Sequence, residues 1–299
     1  MFYNDDFPIQ YIDPVYRPPS EARSLIIPVT NGCSWNKCSF CEMYTDEQKR
    51  FYVRKEHEIL EEITKSGQVL QDVNRVFLGD GDAMVLSFRR LKTILLELNN
   101  AFPDLKRVSA YCLPGNIKNK TIKELEDLKN LGLSMLYVGF ESGDDEVLKR
   151  INKGESSLSI FEAMEKIKQA GITSSVMIIN GLGGVDMSEQ HAVNSAALVN
   201  KIQPEYLSSL VLTFHKGPQR FRKEFGTVFQ PLNSVQLLHE MHSFIKELNL
   251  RKTIYRSDHV SNLLPLKGTL GKDKNRLLSE IELAEKQLGY RSLINLKQI

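Results

Sequence analysis

Three of the four cysteines of this chain fall in one short stretch, NGCSWNKCSFCEMY, residues 31–44. Cys33, Cys38 and Cys41 are spaced C-x4-C-x2-C, so a single loop can turn three thiolates toward one centre, and thiolates select zinc or iron–sulfur chemistry. A structural zinc site closes with four ligands. No fourth cysteine or near histidine follows within the loop, since His57 stands sixteen residues beyond Cys41 and Cys112 lies in a separate run. Three thiolates can instead hold three irons of a cubane [4Fe-4S] cluster and leave the fourth open to a ligand from outside the protein. A buried cysteine trio or a zinc knuckle is the alternative.

Four further stretches carry groups of chemical interest. LGDGDAM, residues 78–84, joins Gly79 and Gly81 to Asp80 and Asp82, and glycine lets backbone approach a ligand closely. YVGFESGDDEVLKRINKG, residues 137–154, carries Glu141, Ser142 and Lys153; its acids Asp144, Asp145 and Glu146 suit a helix N-terminus. NGLGG, residues 180–184, supplies Gly181 and Gly183. SDHVSN, residues 257–262, offers Asp258, His259, Ser261 and Asn262, either as a substrate-facing lid or as the cap of a strand and turn. The fourth cysteine, Cys112, ends a separate apolar run and reads either as a small buried hydrophobe or as a cavity-facing thiol.

These stretches punctuate a regular alternation. Short apolar, β-branched runs predict strands at 24–30, 75–80, 107–112, 135–140, 174–180 and 206–212, separated by helical patterns such as 54–66, 87–101 and 121–131. Strands apolar throughout and alternating with amphipathic helices imply a parallel sheet covered by helices. Six such units predict an α/β fold, a partial (β/α)6 barrel, with function at the C-terminal ends of the strands. The expected organisation is a proline-containing arm over 1–23, the barrel over 24–212, and an α/β extension over 213–299 that packs on the barrel, with helices near 235–248 and 273–288.

At 299 residues the chain can bury a substantial core, and 39 Lys plus Arg against 37 Asp plus Glu give no electrostatic reason to expect nucleic acid or a membrane as partner. No run approaches a membrane span, and the N-terminus lacks a secretory pattern, which points to the cytoplasm. Clustered cysteines with one left over do not form a disulfide framework.

Taken in order, the cysteine loop with Phe40 before its last cysteine, the GDGD turn, the VGFESG segment and the glycine run resemble the radical S-adenosylmethionine (SAM) enzymes. Their usual loop is C-x3-C-x2-C, one residue shorter. The 137–154 segment is similar to runs in coproporphyrinogen III dehydrogenases, methylthiotransferases and cobalamin-dependent members. The resemblance covers about two-thirds of the chain and implies a [4Fe-4S] cluster on Cys33, Cys38 and Cys41 with SAM at the open iron. It implies that Phe40 flanks the cluster and that Gly79, Asp80, Gly81 and Asp82 meet the methionine amino group. It likewise implies that Glu141 meets the ribose, with Ser142 beside it in the cofactor-binding set, Gly181 and Gly183 the adenine, and Lys153 the SAM carboxylate, although Lys153 also reads as a solvated lysine. The reaction implied is reductive cleavage of SAM to a 5′-deoxyadenosyl radical that abstracts hydrogen from an unidentified substrate, fed by an electron donor such as flavodoxin or ferredoxin. Within that reading Cys112 is a candidate hydrogen-atom donor and His259 a candidate substrate contact. The rival readings are a radical-based group transferase, an iron–sulfur electron carrier and a zinc-stabilised interaction module.

Overall fold

The run LIIP forms β1 (Leu25–Pro28), and the chain then enters a two-residue strand, β2 (Thr30–Asn31), that pairs antiparallel with β3 (Tyr52–Val53). This small pair closes the base of the cysteine loop. Helix α1 (Glu56–Val69), β4 (Arg75–Gly79), α2 (Phe88–Ala101), β5 (Arg107–Cys112), α3 (Ile122–Asn130) and β6 (Leu133–Glu141) follow. Then come α4 (Asp145–Arg150), α5 (Ser157–Gln169), β7 (Thr173–Asn180), α6 (Gly184–Ile202) and β8 (Tyr206–Val211). The chain ends with α7 (Gln219–Phe225), α8 (Ser234–Glu247), β9 (Ile254–Arg256), β10 (Lys267–Thr269) and α9 (Lys274–Leu296). This computed structural model describes residues 7–225 and 229–296, so parts of the expected arm and extension lie outside the described residues.

The chain divides into two compact units, one of residues 1–36, 41–138 and 162–174, the other of residues 37–40, 139–161 and 175–299. In the first, β1 pairs with β4, β4 with β5 and β5 with β6, all parallel. Side chains alternate across a strand, so Val76, Leu78, Val108, Ala110, Leu136 and Val138 share one buried face. The other face carries Phe77, Tyr111 and Tyr137, with Phe77 edge-on to Tyr111 at 5.0 Å between centroids. Helix starts are fixed locally: Ser87 caps α2, and Thr121 with Glu124 forms a capping box on α3.

In the second unit β7 pairs parallel with β8, β8 parallel with β9, and β9 antiparallel with β10. The region beyond residue 212 therefore contributes a strand to the same sheet as β8. Tyr255 of β9 is fully buried and its hydroxyl lies 2.6 Å from the Ser209 hydroxyl of β8, so the added strand is joined by a side-chain bond as well as its ladder.

The arm is held by a carboxylate. Glu21 is fully buried, and its side chain accepts from Arg107 at 2.7 Å, from the Tyr137 hydroxyl at 2.6 Å and from the Ser24 hydroxyl. Removing it takes the shared buried acceptor from Arg107 and Tyr137, although the Ser20 hydroxyl stays 2.8 Å from the Tyr137 hydroxyl. Glu21→Ala is expected to lower stability by about 3 kcal/mol, the usual cost of breaking a buried pair, and Glu21→Gln by less. Urea unfolding of the three proteins checks the order.

Candidate active site

In the first unit the loop after β2 is closed by backbone contacts that only certain residues allow. Asn31 Nδ2 donates to the carbonyls of Gln48 and Arg50 at 2.8 and 2.9 Å. Gly32 has φ 67° and lies so close to the Lys49 carbonyl that a Cβ would overlap it. Lys49 is buried and turns its ammonium to Asp80 Oδ2 at 2.6 Å, while the Gly32 amide donates to the same oxygen at 3.2 Å. Burial pushes the Asp80 carboxyl up, and the hydrogen bond and charge of Lys49 and the Gly32 amide oppose that shift. The turn after β4 is thus bonded to the start of the cysteine loop.

Gly81 completes that approach. Its amide donates to the Gly32 carbonyl at 3.1 Å, and a Cβ there would stand 2.6 Å from the Tyr44 ring and 3.0 Å from Cys33 Cβ. Asp82 is fully buried and accepts from the Ser34 hydroxyl, beside Cys33, and from Asn116 Nδ2. Burial raises its carboxyl to about 6, with Ser34, Asn116 and the nearby Lys120 holding it lower than burial alone would. Lys120 donates to the Met84 carbonyl at 2.6 Å; burial lowers its ammonium, and Cys112 and Asp82 oppose that. Cys112 is buried within this group, its thiol 3.5 Å from the Leu113 carbonyl.

In the second unit β6 ends on Glu141, which adopts the left-handed conformation at φ 65°, an arrangement costing roughly 1 kcal/mol for a residue with a Cβ. Its Oε1 accepts from Lys153 Nζ at 3.0 Å, and both side chains are buried. Its Oε2 is buried with no partner. A Cβ on Gly139 would overlap Glu141 Oε1, so the residue two before Glu141 must be glycine for this carboxylate to sit here. Lys153 is accordingly a buried partner of Glu141 and not a solvated lysine.

The neighbouring residues serve the scaffold. The Ser142 hydroxyl lies 2.8 Å from His191 Nδ1 on α6, Gly143 packs against the backbone of Asn194 and Ser195, and Asp144 caps α4 by accepting from the Val147 amide at 2.9 Å. Burial acts to raise the Asp144 carboxyl, but the Val147 amide, Asn194, Gln190 and the charge of His191 together hold it below its ordinary value. The glycine turn after β7 is held from α8: the Gly181 amide donates to Glu240 Oε1 at 2.6 Å, and the Ser188 hydroxyl donates to Glu240 Oε2 at 2.6 Å. His191 Nε2 bonds the Ile179 carbonyl at 3.0 Å and lies 4.0 Å from Glu240 Oε1. Gly181 has φ 84°, and Gly183 packs on Met187. Asn180 Nδ2, at the end of β7, is buried and unpartnered.

The middle of the cysteine loop is fastened within this unit by the residues after α4. Ser39 N–H donates to the Ile151 carbonyl at 2.9 Å and Asn152 Nδ2 to the Lys37 carbonyl at 3.2 Å. Cys33, Cys38, Phe40 and Cys41 are partly exposed. Among the described residues no three His, Cys, Asp or Glu side chains stand together as ready metal ligands. In the tail, His259 is exposed and its Nδ1 takes the Ser261 amide at 3.1 Å; Ser261 Oγ and Asn262 Nδ2 bond the Val211 amide and the Ser209 carbonyl of β8.

Sequence reasoning passed over Lys49, Gly139, His191 and Glu240. Gly139 alone carried a signal, a glycine within a continuous apolar strand, which marks close approach. The other three are far in sequence from the groups they hold.

Turns that follow parallel strands and carry glycines, buried carboxylates and a thiolate loop define an α/β enzyme of the barrel class. The family model of the radical SAM superfamily matches residues 27–196, more than half of the chain, and the chain belongs to that superfamily. Enzymes of this superfamily use a [4Fe-4S] cluster and SAM. The heme chaperone HemW of Bacillus subtilis is 25% identical over 170 residues, which are 56% of this chain and 44% of the relative. The chain spans about half the length of the curated relatives it matches. Among solved structures, coproporphyrinogen III oxidase (HemN) of Escherichia coli aligns with TM-score 0.56 and 17% identity over 75% of this chain and 52% of that one. Methylornithine synthase (PylB) aligns with TM-score 0.51 and 14% identity over 87% and 81%. These likenesses bear out the expected fold class, a partial radical-SAM barrel. Among the described residues no helix is long and apolar enough to cross a membrane.

The raised Asp82 carboxyl has a measurable consequence in the cluster-free protein. Its folded value, about 6, exceeds the ordinary 3.8, so folding takes up a proton in between. The resulting stability is fully present below pH 3.8 and is lost as pH rises through 6. Asp82→Asn removes this component, and the stability difference between wild type and variant is expected to change by roughly 1 kcal/mol per pH unit across that window. Urea midpoints at stepped pH values measure it.

Proposed function

We propose that this enzyme holds a [4Fe-4S] cluster through Cys33, Cys38 and Cys41 and uses SAM to act on a substrate whose identity the chain does not declare. The donor set fits the group: three thiolates are one short of a closed site, and a cluster with an open iron is what such a set can hold. When bound, the cluster and SAM supply one-electron cleavage of a carbon–sulfur bond to give a 5′-deoxyadenosyl radical that abstracts hydrogen.

The observation that carries the reading is Glu141. A buried carboxylate oxygen without a partner costs about 1–3 kcal/mol, and Glu141 Oε2 is one. A ligand hydroxyl donating to it removes that penalty, and the ribose of SAM carries two. Lys153 fixes the other oxygen and so orients the carboxylate for its ligand. Asn180 Nδ2, likewise buried and unpartnered, offers a donor at the glycine turn assigned to adenine. Gly79 and Gly81 let backbone approach, Asp80 and Asp82 keep the turn beside Cys33 polar, and Phe40 covers the loop next to Cys41. Ser142 acts here through His191 as a positioning residue. Cys112 is assigned no iron; a hydrogen-donor role for it requires that substrate reach the Lys120 side of β5. Residues 24–212 are proposed as the barrel and 213–299 as its extension, with His259 facing substrate while Ser261 and Asn262 hold it to β8.

Anaerobic reconstitution with iron and sulfide is expected to give about four irons per chain, lost in Cys33→Ala, Cys38→Ala or Cys41→Ala and kept in Cys112→Ala. Reduction by dithionite with SAM present should release methionine and 5′-deoxyadenosine. Stoichiometric zinc without iron uptake would overturn the reading.

For the ribose contact, Glu141→Gln is expected to keep the iron and weaken SAM binding by about five- to hundredfold, the equivalent of 1–3 kcal/mol. Equilibrium binding of SAM to the reconstituted protein reads this directly, and an unchanged dissociation constant removes Glu141 from the site.

A further inference from the structure

Strand β5, in the first unit, ends on two side chains that can each give up a hydrogen atom, and alternation sends them to opposite faces. Cys112 stands in register with Val138 and shares the buried face of Val76, Leu78 and Ala110. Tyr111 stands in register with Tyr137 on the other face, edge-on to Phe77 at 5.0 Å and with its ring centroid 6.3 Å from that of Tyr137.

The tyrosines gathered here differ in how they are held. Tyr137 is engaged, since its hydroxyl donates to Glu21 at 2.6 Å and lies 2.8 Å from the Ser20 hydroxyl. Tyr44 is closed off at 5% exposure, its ring filling the space a side chain on Gly81 would need. Tyr111 is half-buried, and its hydroxyl has no hydrogen-bond partner among the described residues, yet it is not one of the sealed polar atoms. A mostly buried polar group calls for a partner, and an open one can take it from a bound molecule. Burial pushes this phenol up, and Tyr137, Asp80, Cys41 and Glu21, as anions, push it the same way. The O–H therefore stays intact at neutral pH, within electrostatic reach of the cysteine loop and of the turn after β4.

We propose that Tyr111 is the hydrogen-atom donor of this site, giving its phenolic hydrogen to a carbon radical held on its own face of β5. The inference rests on the proposed cluster and SAM chemistry, which supplies the radical. In the step the Tyr111 O–H bond breaks homolytically and a C–H bond forms, so the carbon centre is reduced by one electron and Tyr111 is oxidised to a neutral phenoxyl. The low-potential one-electron reductant that recharges the cluster then returns the electron, and water returns the proton. A phenolic O–H bond is weaker than the alkyl C–H bond it makes, so the transfer runs downhill. With no side chain bonded to its oxygen, Tyr111 loses proton and electron together. Cys112, the candidate donor read from sequence, lies across the strand from this face.

The test needs no identified substrate. Reconstituted enzyme is reduced with dithionite in D2O with SAM alone; mass spectrometry reads the 5′-deoxyadenosine, and electron paramagnetic resonance reads samples frozen during turnover. The Tyr111 O–H exchanges with solvent, so wild type is expected to put deuterium on the 5′ carbon and to show a phenoxyl signal. Tyr111→Phe should lose both while keeping its iron content and SAM affinity. Tyr206→Phe, which alters an exposed tyrosine of the second unit, should match wild type. Unlabelled product from wild type would overturn the proposal whatever the variants do. So would label that persists in Tyr111→Phe, or label lost in Cys112→Ala or Tyr44→Phe but kept in Tyr111→Phe. Wild type that releases no 5′-deoxyadenosine at all would sink the parent reading of the enzyme, a different result from product made without label.

Discussion

The ion pair between Lys49 and Asp80 is the contact on which the first cysteine depends. Both side chains are buried, at 1% and 2% exposure, and a buried charge without its partner costs about 3–5 kcal/mol. Lys49 sits near the end of the loop that Gly32 begins, and Asp80 sits in the turn after β4, so the pair joins a local loop to the sheet. Gly32 and Gly81 then follow as requirements, because the Lys49 carbonyl and the Tyr44 ring occupy the space a side chain would need. The start of the cysteine loop is thus positioned by charge burial and close backbone packing.

A parallel logic holds the second unit. Glu240, on α8 beyond the six expected βα units, accepts the Gly181 amide, and His191 between them bonds Ser142 and the Ile179 carbonyl. One buried network therefore steadies both the segment after Glu141 and the glycine turn after β7. The region past residue 212 is then part of what positions these turns, since it supplies Glu240 and the strand β9 that pairs with β8.

Membership in the radical SAM superfamily gives the cofactors, a [4Fe-4S] cluster and SAM, and leaves the substrate open, because fold does not carry substrate identity. The relatives illustrate the point: a heme chaperone, an oxidase and a synthase share the scaffold under differing names.

The sequence by itself determined the alternation of strands and helices, because apolar periodicity and capping residues act over a few neighbours. The expected strand 107–112 is β5 to the residue, and the expected helix 87–101 differs from α2 only by its cap Ser87. It also determined the thiolate loop, whose spacing is a local property. The strand 135–140 was legible in place and short in length, since Leu133 and Glu141 join β6 through pairing and burial that composition does not encode. The β2–β3 clasp and α7 escaped because two-residue strands and single short helices carry no periodic signal. Only the tertiary structure decided which polar groups hold which: Lys49 with Asp80, Lys153 with Glu141, Glu240 with Gly181. Those partners stand 31, 12 and 59 residues apart. A buried charge is stable only beside its complement, and that complement is chosen by the path of the chain in space, which no window of sequence contains.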